Sequence, residues 1–195
     1  MNISQNTPTI LRLSDMWMLT GHCAHSLNCK RWEIGCGKCP DLMRYPRIRR
    51  DGTKSNFNYK AKIYKKSKLY ISTPSKWLMN RVKKSILIES AIDCRIIPTG
   101  VDIDYFQPND KIAIRKELDI PTDVKVMITI KSGDNAYRLN DLYNHFKGLK
   151  ERLVEKKLII IVIGQNDKEY DSENLIIKNI SFIRNKKILR KYYQA

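Results

Sequence analysis

The segment that most constrains the fold is an unbroken apolar run near the end of the chain, KKLIIIVIG, at residues 156–164. Because every central position is apolar, neither face of a strand formed here could be left in water. The run is also far shorter than the roughly 20 residues that a membrane-spanning helix needs. Strands buried on both faces are typical of parallel sheets covered by helices. We therefore expect a buried parallel strand and predict no transmembrane helix.

The rest of the chain alternates between short apolar runs and amphipathic segments, which indicates an α/β fold. Further strands are expected at 7–14, 68–73, 94–98, 124–131, 174–179 and 180–183. Helices are expected at 56–67, 75–85, 109–120, 140–155 and 184–195. A turn-rich break at 99–108 separates two such runs, so two α/β units meeting at a cleft are favoured over one sheet.

Two of the predicted helices have a recognisable inward face. In the helix at 56–67, Phe57, Ala61 and Tyr64 fall at helical spacing, with lysines on the other face. In the helix at 75–85, Ser75 is placed as the N-cap. Its side chains expected in the core are those of Trp77, Leu78 and Val82.

The formal net charge of +17 implies an acidic partner or an acidic surface. Nucleic acid, anionic lipid and a phosphorylated small molecule all qualify, and basic residues spread along the chain are also common on a solvated face. The N-terminus lacks the pattern of a secretory signal. We therefore expect a cytoplasmic protein whose thiols stay reduced.

Four of the five cysteines lie in one irregular segment between Asp15 and Pro40, together with Trp17 and Trp32. Their spacings are five, six and two residues, and the closing C-x-x-C is typical of half of a structural zinc site. The interpretations are a zinc site, a disulfide, or free thiols packed beside the tryptophans. The cysteines are Cys23, Cys29, Cys36 and Cys39.

Four motifs, carried by three stretches of sequence, then make a specific resemblance. The stretches are LSDMWMLTGHCAHSLNCKRWEIGCGKCPDL, YISTPSKWL and RIIPTGVDIDYFQP, in this order between Leu13 and Pro108. The chain resembles the family 4 glycosyltransferases of bacterial exopolysaccharide and lipopolysaccharide assembly, of the colanic-acid type. The family implies a GT-B fold, two Rossmann-like lobes of which the first binds the acceptor and the second the nucleotide-sugar donor. It also implies a hexosyltransferase that retains configuration and needs no catalytic metal.

On this resemblance, residues 1–100 are the C-terminal part of the acceptor lobe, with a cysteine-rich loop at 14–55. Residues 101–108 connect the lobes, and residues 109–195 are the first half of the donor lobe. A family member is longer at both ends, so we expect the chain to be a fragment with little or no activity alone.

The resemblance also suggests site residues. Asp15 could accept a hydrogen bond from the acceptor hydroxyl or cap a loop, and His22 could contact a sugar or serve the cysteine cluster. For the donor diphosphate, the candidates are Lys131 and Arg138, which could equally be surface cations. The residues expected at the cleft and hinge are Ser75, Gly100 and Asp102.

The expected function is therefore sugar transfer from a nucleotide-sugar to a glycan or lipid-linked acceptor in cell-surface polysaccharide biosynthesis. Contact with an anionic membrane at the inner face of the cell membrane would suit the positive charge. One alternative is a zinc-stabilised, basic nucleic-acid-binding module, and another is the inactive product of a split reading frame.

Overall fold

The computed structural model describes residues 3–130, 148, 157–164, 170–172 and 174–195. Within them the chain is a mixed α/β protein with two sheets whose strands are mainly parallel, which confirms the predicted fold class. It divides into two units, Met1–Gly100 (unit 1) and Val101–Ala195 (unit 2). The assignment of these units to an acceptor lobe and a donor lobe stays a prediction.

Unit 1 contains a sheet of three parallel strands in the order β1-β2-β3. The strands are β1 (Thr9–Arg12), β2 (Leu69–Thr73) and β3 (Ala91–Ile96). The helices are α1 (Ile3–Asn6), α2 (Thr53–Tyr64) and α3 (Lys76–Val82), and the 3₁₀ helices are Trp17–Leu19, Arg31–Glu33 and Ile86–Ser90. All three expected strands are present, although β3 begins three residues before the predicted range.

The cysteine-rich loop contributes to the core of unit 1. Its side chains of Met16, Leu19 and Trp32 are buried in the same cluster as Ile71 of β2 and Leu78 of α3. The loop therefore buries apolar surface against the sheet, which stabilises its irregular backbone.

The inward faces of α2 and α3 differ in part from the prediction. In α2 the buried positions include Phe57, Lys60 and Tyr64, so the helix turns a lysine toward the core and leaves Ala61 only partly covered.

In α3, Ser75 caps the helix and Leu78 is buried as expected. Trp77 is 49% exposed, and its prediction as a core residue is wrong. Its ring instead stacks against the guanidinium of Arg81 on the surface.

Unit 2 has a sheet in the order β4-β5-β7-β6, in which only the β6–β7 pairing of the described strands is antiparallel. Its elements are α4 (Lys111–Glu117), β4 (Lys125–Ile130), β5 (Leu158–Ile163), β6 (Tyr170–Ser172), β7 (Leu175–Ile180) and α5 (Lys186–Gln194). Every residue of β5 is buried, as its unbroken apolar sequence predicts.

The separate strand predicted at 180–183 is wrong. Strand β7 extends to Ile180, which pairs with Ile163 at the end of β5, and Gly164 then leaves the strand with a φ of 96°. Phe182 follows the end of β7 and is exposed. The helix predicted at 140–155 lies outside the described residues except for Gly148, which is helical. Among the helices that the structure describes, none is long and apolar enough to cross a membrane.

Candidate functional site

A groove of about 440 Å³ opens beside the carboxyl end of β1 in unit 1. In parallel sheets ligands bind outside the carboxyl ends of the strands, so this groove is in the expected place for a site. We call it the strand-end groove. Its lining residues are Arg12, Leu13, Ser14, Asp15, Trp17, Met18, Ala24, Tyr45 and Pro46.

Asp15 lies half-buried in the strand-end groove. Its Oδ1 accepts a hydrogen bond of 2.7 Å from the backbone N–H of Trp17, at the start of the 3₁₀ helix. The capping role considered from the sequence is therefore present. Within the described residues no hydrogen bond involves Oδ2, so this oxygen can still accept one from a ligand. The catalytic role of Asp15 stays a prediction.

Two aromatic side chains are exposed in the same groove, Trp17 at 42% and Tyr45 at 67%. Exposed aromatic rings next to a carboxylate suit a ligand with an apolar face and polar edges, such as a sugar ring. From the sequence, Trp17 was expected to pack beside the cysteines, and Tyr45 was not among the predicted site residues.

Lys60 contacts Trp17, one of the residues that line this groove, and was not among the predicted site residues. Its Nζ donates to the carbonyls of Trp17 at 2.5 Å and Thr20 at 3.0 Å, and lies 3.8 Å from the centroid of the Trp17 ring. Burial lowers the pKa of Lys60 to about 8. Its spacing of three from Phe57 and four from Tyr64 was the signal that it shares their buried face.

Arg12 was also not anticipated. Its Nη1 donates to the carbonyl of Ile97 at 3.0 Å, and its Nη2 donates to Oγ1 of Thr99 at 3.2 Å. Arg12 thereby joins the end of β1 to the segment that leaves β3. This fixes one wall of the strand-end groove.

His22 is buried, and both of its ring nitrogens are engaged inside the protein. Nδ1 lies 3.1 Å from the carbonyl oxygen of Pro46, and Nε2 lies 3.3 Å from Sγ of Cys39. Since a carbonyl only accepts, Nδ1 carries the proton. Of the two roles suggested by the sequence, the geometry supports a structural role of His22 within the cysteine cluster. Contact of His22 with a sugar stays a prediction.

The four cysteines converge on one small cavity, although 15 residues lie between the first and the last in the chain. The cavity has about 20 Å³ of space, enough for one water-sized particle, and His22 also lines it. We call it the cysteine cavity; its cysteines are Cys23, Cys29, Cys36 and Cys39.

Local backbone geometry brings the closing C-x-x-C into this position. The residues from Gly35 to Lys38 have φ values of 123°, 53°, 87° and 45°, all in the left-handed region that glycine adopts most easily. The N–H of Gly21 donates to Sγ of Cys36 at 3.2 Å. Burial raises the pKa of Cys23 and of Cys36.

Among the described residues none of the cysteines forms a disulfide, so the disulfide interpretation finds no support. No group of three or more His, Cys, Asp and Glu side chains in the described part of the chain is arranged to hold a metal ion. The sulfurs thus surround one cavity without forming a finished coordination set. The zinc interpretation stays a prediction, and it requires the thiols to move closer together.

The residues predicted at the cleft and hinge have structural contacts. The hydroxyl of Ser75 accepts from the N–H of Leu78 as the N-cap of α3, and Oδ1 of Asp102 accepts from the N–H of Tyr105. Asp102 therefore stabilises a local turn in the segment 101–108, and its role at a hinge stays a prediction. Gly100 is different: its φ is not in the left-handed region, and an added Cβ would meet nothing within 4 Å. This position does not need the conformational freedom of glycine, and the hinge role of Gly100 stays a prediction.

The donor-site candidates Lys131 and Arg138 lie outside the described residues. Strand β4 ends at Ile130, directly before Lys131. Their role stays a prediction.

Comparison with known proteins gives one further finding. No protein-family model matches the chain. Over 106 residues it is 28% identical to the Escherichia coli (strain K12) protein named "Putative colanic acid biosynthesis glycosyl transferase WcaC". The match covers 52% of this chain and 25% of that protein. The chain is thus similar, over about half of its length, to about a quarter of a protein named as a glycosyl transferase.

Proposed function

We propose that this chain is part of a family 4 glycosyltransferase with a GT-B fold. It transfers a sugar from a nucleotide-sugar to a glycan or lipid-linked acceptor in the biosynthesis of cell-surface polysaccharide. The observation that carries the proposal is the strand-end groove, with its available carboxylate and exposed aromatic rings. The similarity to a protein named as a colanic acid glycosyl transferase supports it.

In this proposal unit 1 binds the acceptor. The apolar face of a sugar ring packs on Trp17 or Tyr45, and Oδ2 of Asp15 accepts a hydrogen bond from the attacking hydroxyl. That hydrogen bond raises the nucleophilicity of the hydroxyl oxygen. Lys60 and Arg12 hold the walls of the groove and need not touch the substrate.

Unit 2 binds the nucleotide-sugar, and Lys131 and Arg138 neutralise the diphosphate as it leaves. This charge stabilisation would replace a catalytic metal ion. Transfer of a hexose with retention of configuration belongs to the same proposal, and it is supported by the motif resemblance alone.

The cysteine cavity serves this function indirectly. We propose that it holds a structural zinc ion, because four thiols of one loop line a space the size of a single ion. Binding would draw the thiols together and fix the loop that carries Asp15, Trp17 and Tyr45.

The experiment that tests acceptor binding is an NMR titration of the ¹⁵N-labelled chain with oligosaccharides released from bacterial exopolysaccharides. We expect shifts at the indole N–H of Trp17. Binding should weaken roughly three- to tenfold in Tyr45→Ala, because a stacking surface is lost. Tyr59→Ala is the matched control, since Tyr59 is 65% exposed on α2 and lies outside the groove.

Asp15→Asn separates capping from substrate contact, because its Oδ1 can still accept from the N–H of Trp17. We expect the fold to persist and oligosaccharide binding to weaken. If no oligosaccharide shifts Trp17, or if Tyr59→Ala lowers binding as much as Tyr45→Ala, the proposed acceptor site is wrong.

A further inference from the structure

A second groove in unit 1, of about 400 Å³, is lined by the cysteine-rich loop and by the end of α3 and the turn that follows it. We call it the basic groove. Its charged lining consists of Lys30, Arg81 and Lys84 against the single carboxylate of Glu33. None of these three cations forms a salt bridge within the described residues. The remaining lining residues are Ser26, Leu27, Asn28, Cys29, Trp32 and Asn80.

Arg81 is held in a fixed orientation in the basic groove. Its guanidinium lies 3.6 Å from the centroid of the Trp77 ring, and Nη1 is 3.4 Å from the Trp77 carbonyl oxygen. Its Nε is buried and has no hydrogen-bond partner in the part of the chain that the structure describes.

Leu27, at the rim of the basic groove, has an unusual conformation. Its φ is 49°, in the left-handed region, and its side chain is 61% exposed. Glycine or asparagine would adopt this backbone with less strain, and a polar side chain would be better solvated. Neither backbone geometry nor core packing explains a leucine here. Strain of this kind persists most often at functional positions.

We propose that the basic groove docks the protein on an anionic membrane. Lys30, Arg81 and Lys84 bind phosphates of lipid headgroups, and Leu27 enters the boundary between headgroups and acyl chains. The net charge of +17 adds long-range attraction to such a surface. The inference stands apart from the proposed sugar transfer, because none of the residues lining the strand-end groove lines this one.

A lipid surface fits this groove better than a nucleic acid does. Nucleic-acid sites without sequence preference combine cations with aromatic rings on which bases stack. Here the exposed apolar side chain at the rim is aliphatic, and the ring of Trp77 already stacks with Arg81.

The test is sedimentation of the full chain with vesicles of phosphatidylglycerol and phosphatidylcholine, compared with phosphatidylcholine alone. We expect binding to the anionic vesicles that falls with salt. The triple variant Lys30→Glu, Arg81→Glu and Lys84→Glu should bind at least about tenfold more weakly. If the triple variant does not fold, the double variant Lys30→Glu and Lys84→Glu replaces it, because it leaves the Arg81–Trp77 stack intact. It should show most of the expected loss of vesicle binding.

The matched control reverses three exposed lysines of unit 2 and changes the net charge by the same amount: Lys116→Glu, Lys186→Glu and Lys187→Glu. It should bind the anionic vesicles nearly as well as the wild type. Leu27→Asn tests the apolar contact, because asparagine tolerates the same backbone. We expect it to bind several-fold more weakly at a salt concentration that screens the lysines.

Three results would overturn the proposal. One is an equal loss of vesicle binding in the control triple variant, which would show that net charge alone matters. Another is binding of inorganic phosphate in the groove, followed by NMR, without any binding to anionic vesicles. The third is salt-dependent binding to a single-stranded oligonucleotide that the groove variants abolish while vesicles fail to bind.

Discussion

Because Lys60 is buried, the free energy of unfolding of unit 1 should change with pH. The substitution Lys60→Met should remove this part of the pH dependence. The side chain is only 6% exposed, and its Nζ donates to the carbonyls of Trp17 and Thr20. Removal of water from the ammonium group lowers its pKa from 10.5 to about 8. The folded protein therefore holds this proton less tightly than the unfolded chain does.

The size of the effect follows from these two pKa values. Between about pH 8 and pH 10.5 the unfolded chain binds more protons at this site, so the free energy of unfolding rises with pH across that window. The cost of the buried charge is fully present below about pH 8 and disappears as the pH passes the unfolded value. Between pH 7 and pH 9.5 the wild type should gain about 2 kcal/mol from Lys60. Lys60→Met should lack this gain.

The assay is urea unfolding at both pH values, followed by tryptophan fluorescence. All three tryptophans lie in unit 1, so the signal reports on that unit. The free energy of unfolding of the wild type minus that of Lys60→Met should be about 2 kcal/mol larger at pH 9.5 than at pH 7. Lys62→Met, an exposed lysine of the same helix, is the control and should show no such difference. Equal pH dependence in the wild type and Lys60→Met would refute the reasoning.

Three other predictions test local features of unit 1. Ser75→Ala removes the N-cap of α3 and should lower the free energy of unfolding, measured in urea, by about 1 kcal/mol. Ser75→Asp should keep most of the stabilisation that the cap provides. Gly21→Ala places a Cβ 2.5 Å from the carbonyl oxygen of Thr53 and should lower the melting temperature markedly, while Gly100→Ala should leave it unchanged. Elemental analysis of protein purified without chelator should find about one zinc ion per chain, and a chelator should then lower the melting temperature; absence of zinc would leave four free thiols.

Local sequence pattern was sufficient for most of the regular elements that the structure describes. The apolar run of β5 allowed only a strand buried on both faces, and the structure has it in that form with parallel neighbours. Ser75 and its following apolar residues likewise determined the start of α3. These features depend on periodicity and hydrogen-bonding rules that act over a few residues.

The candidate site could be predicted only in part. The cysteine spacing singled out the loop. Asp15 was identified from the sequence both as a candidate site residue and as a loop cap. Tyr45 was missed, because its place in the strand-end groove depends on the path of a loop without periodicity.

The sequence by itself determined the α/β class, most strands and helices, and a loop rich in thiols. Only the tertiary structure decided that Lys60 is buried, that Trp77 is exposed, and that four cysteines line one cavity. Each of these outcomes depends on contacts between residues far apart in the chain. Such contacts can bury a lysine when carbonyls accept hydrogen bonds from its ammonium group, and can leave a tryptophan exposed when an arginine stacks on its ring.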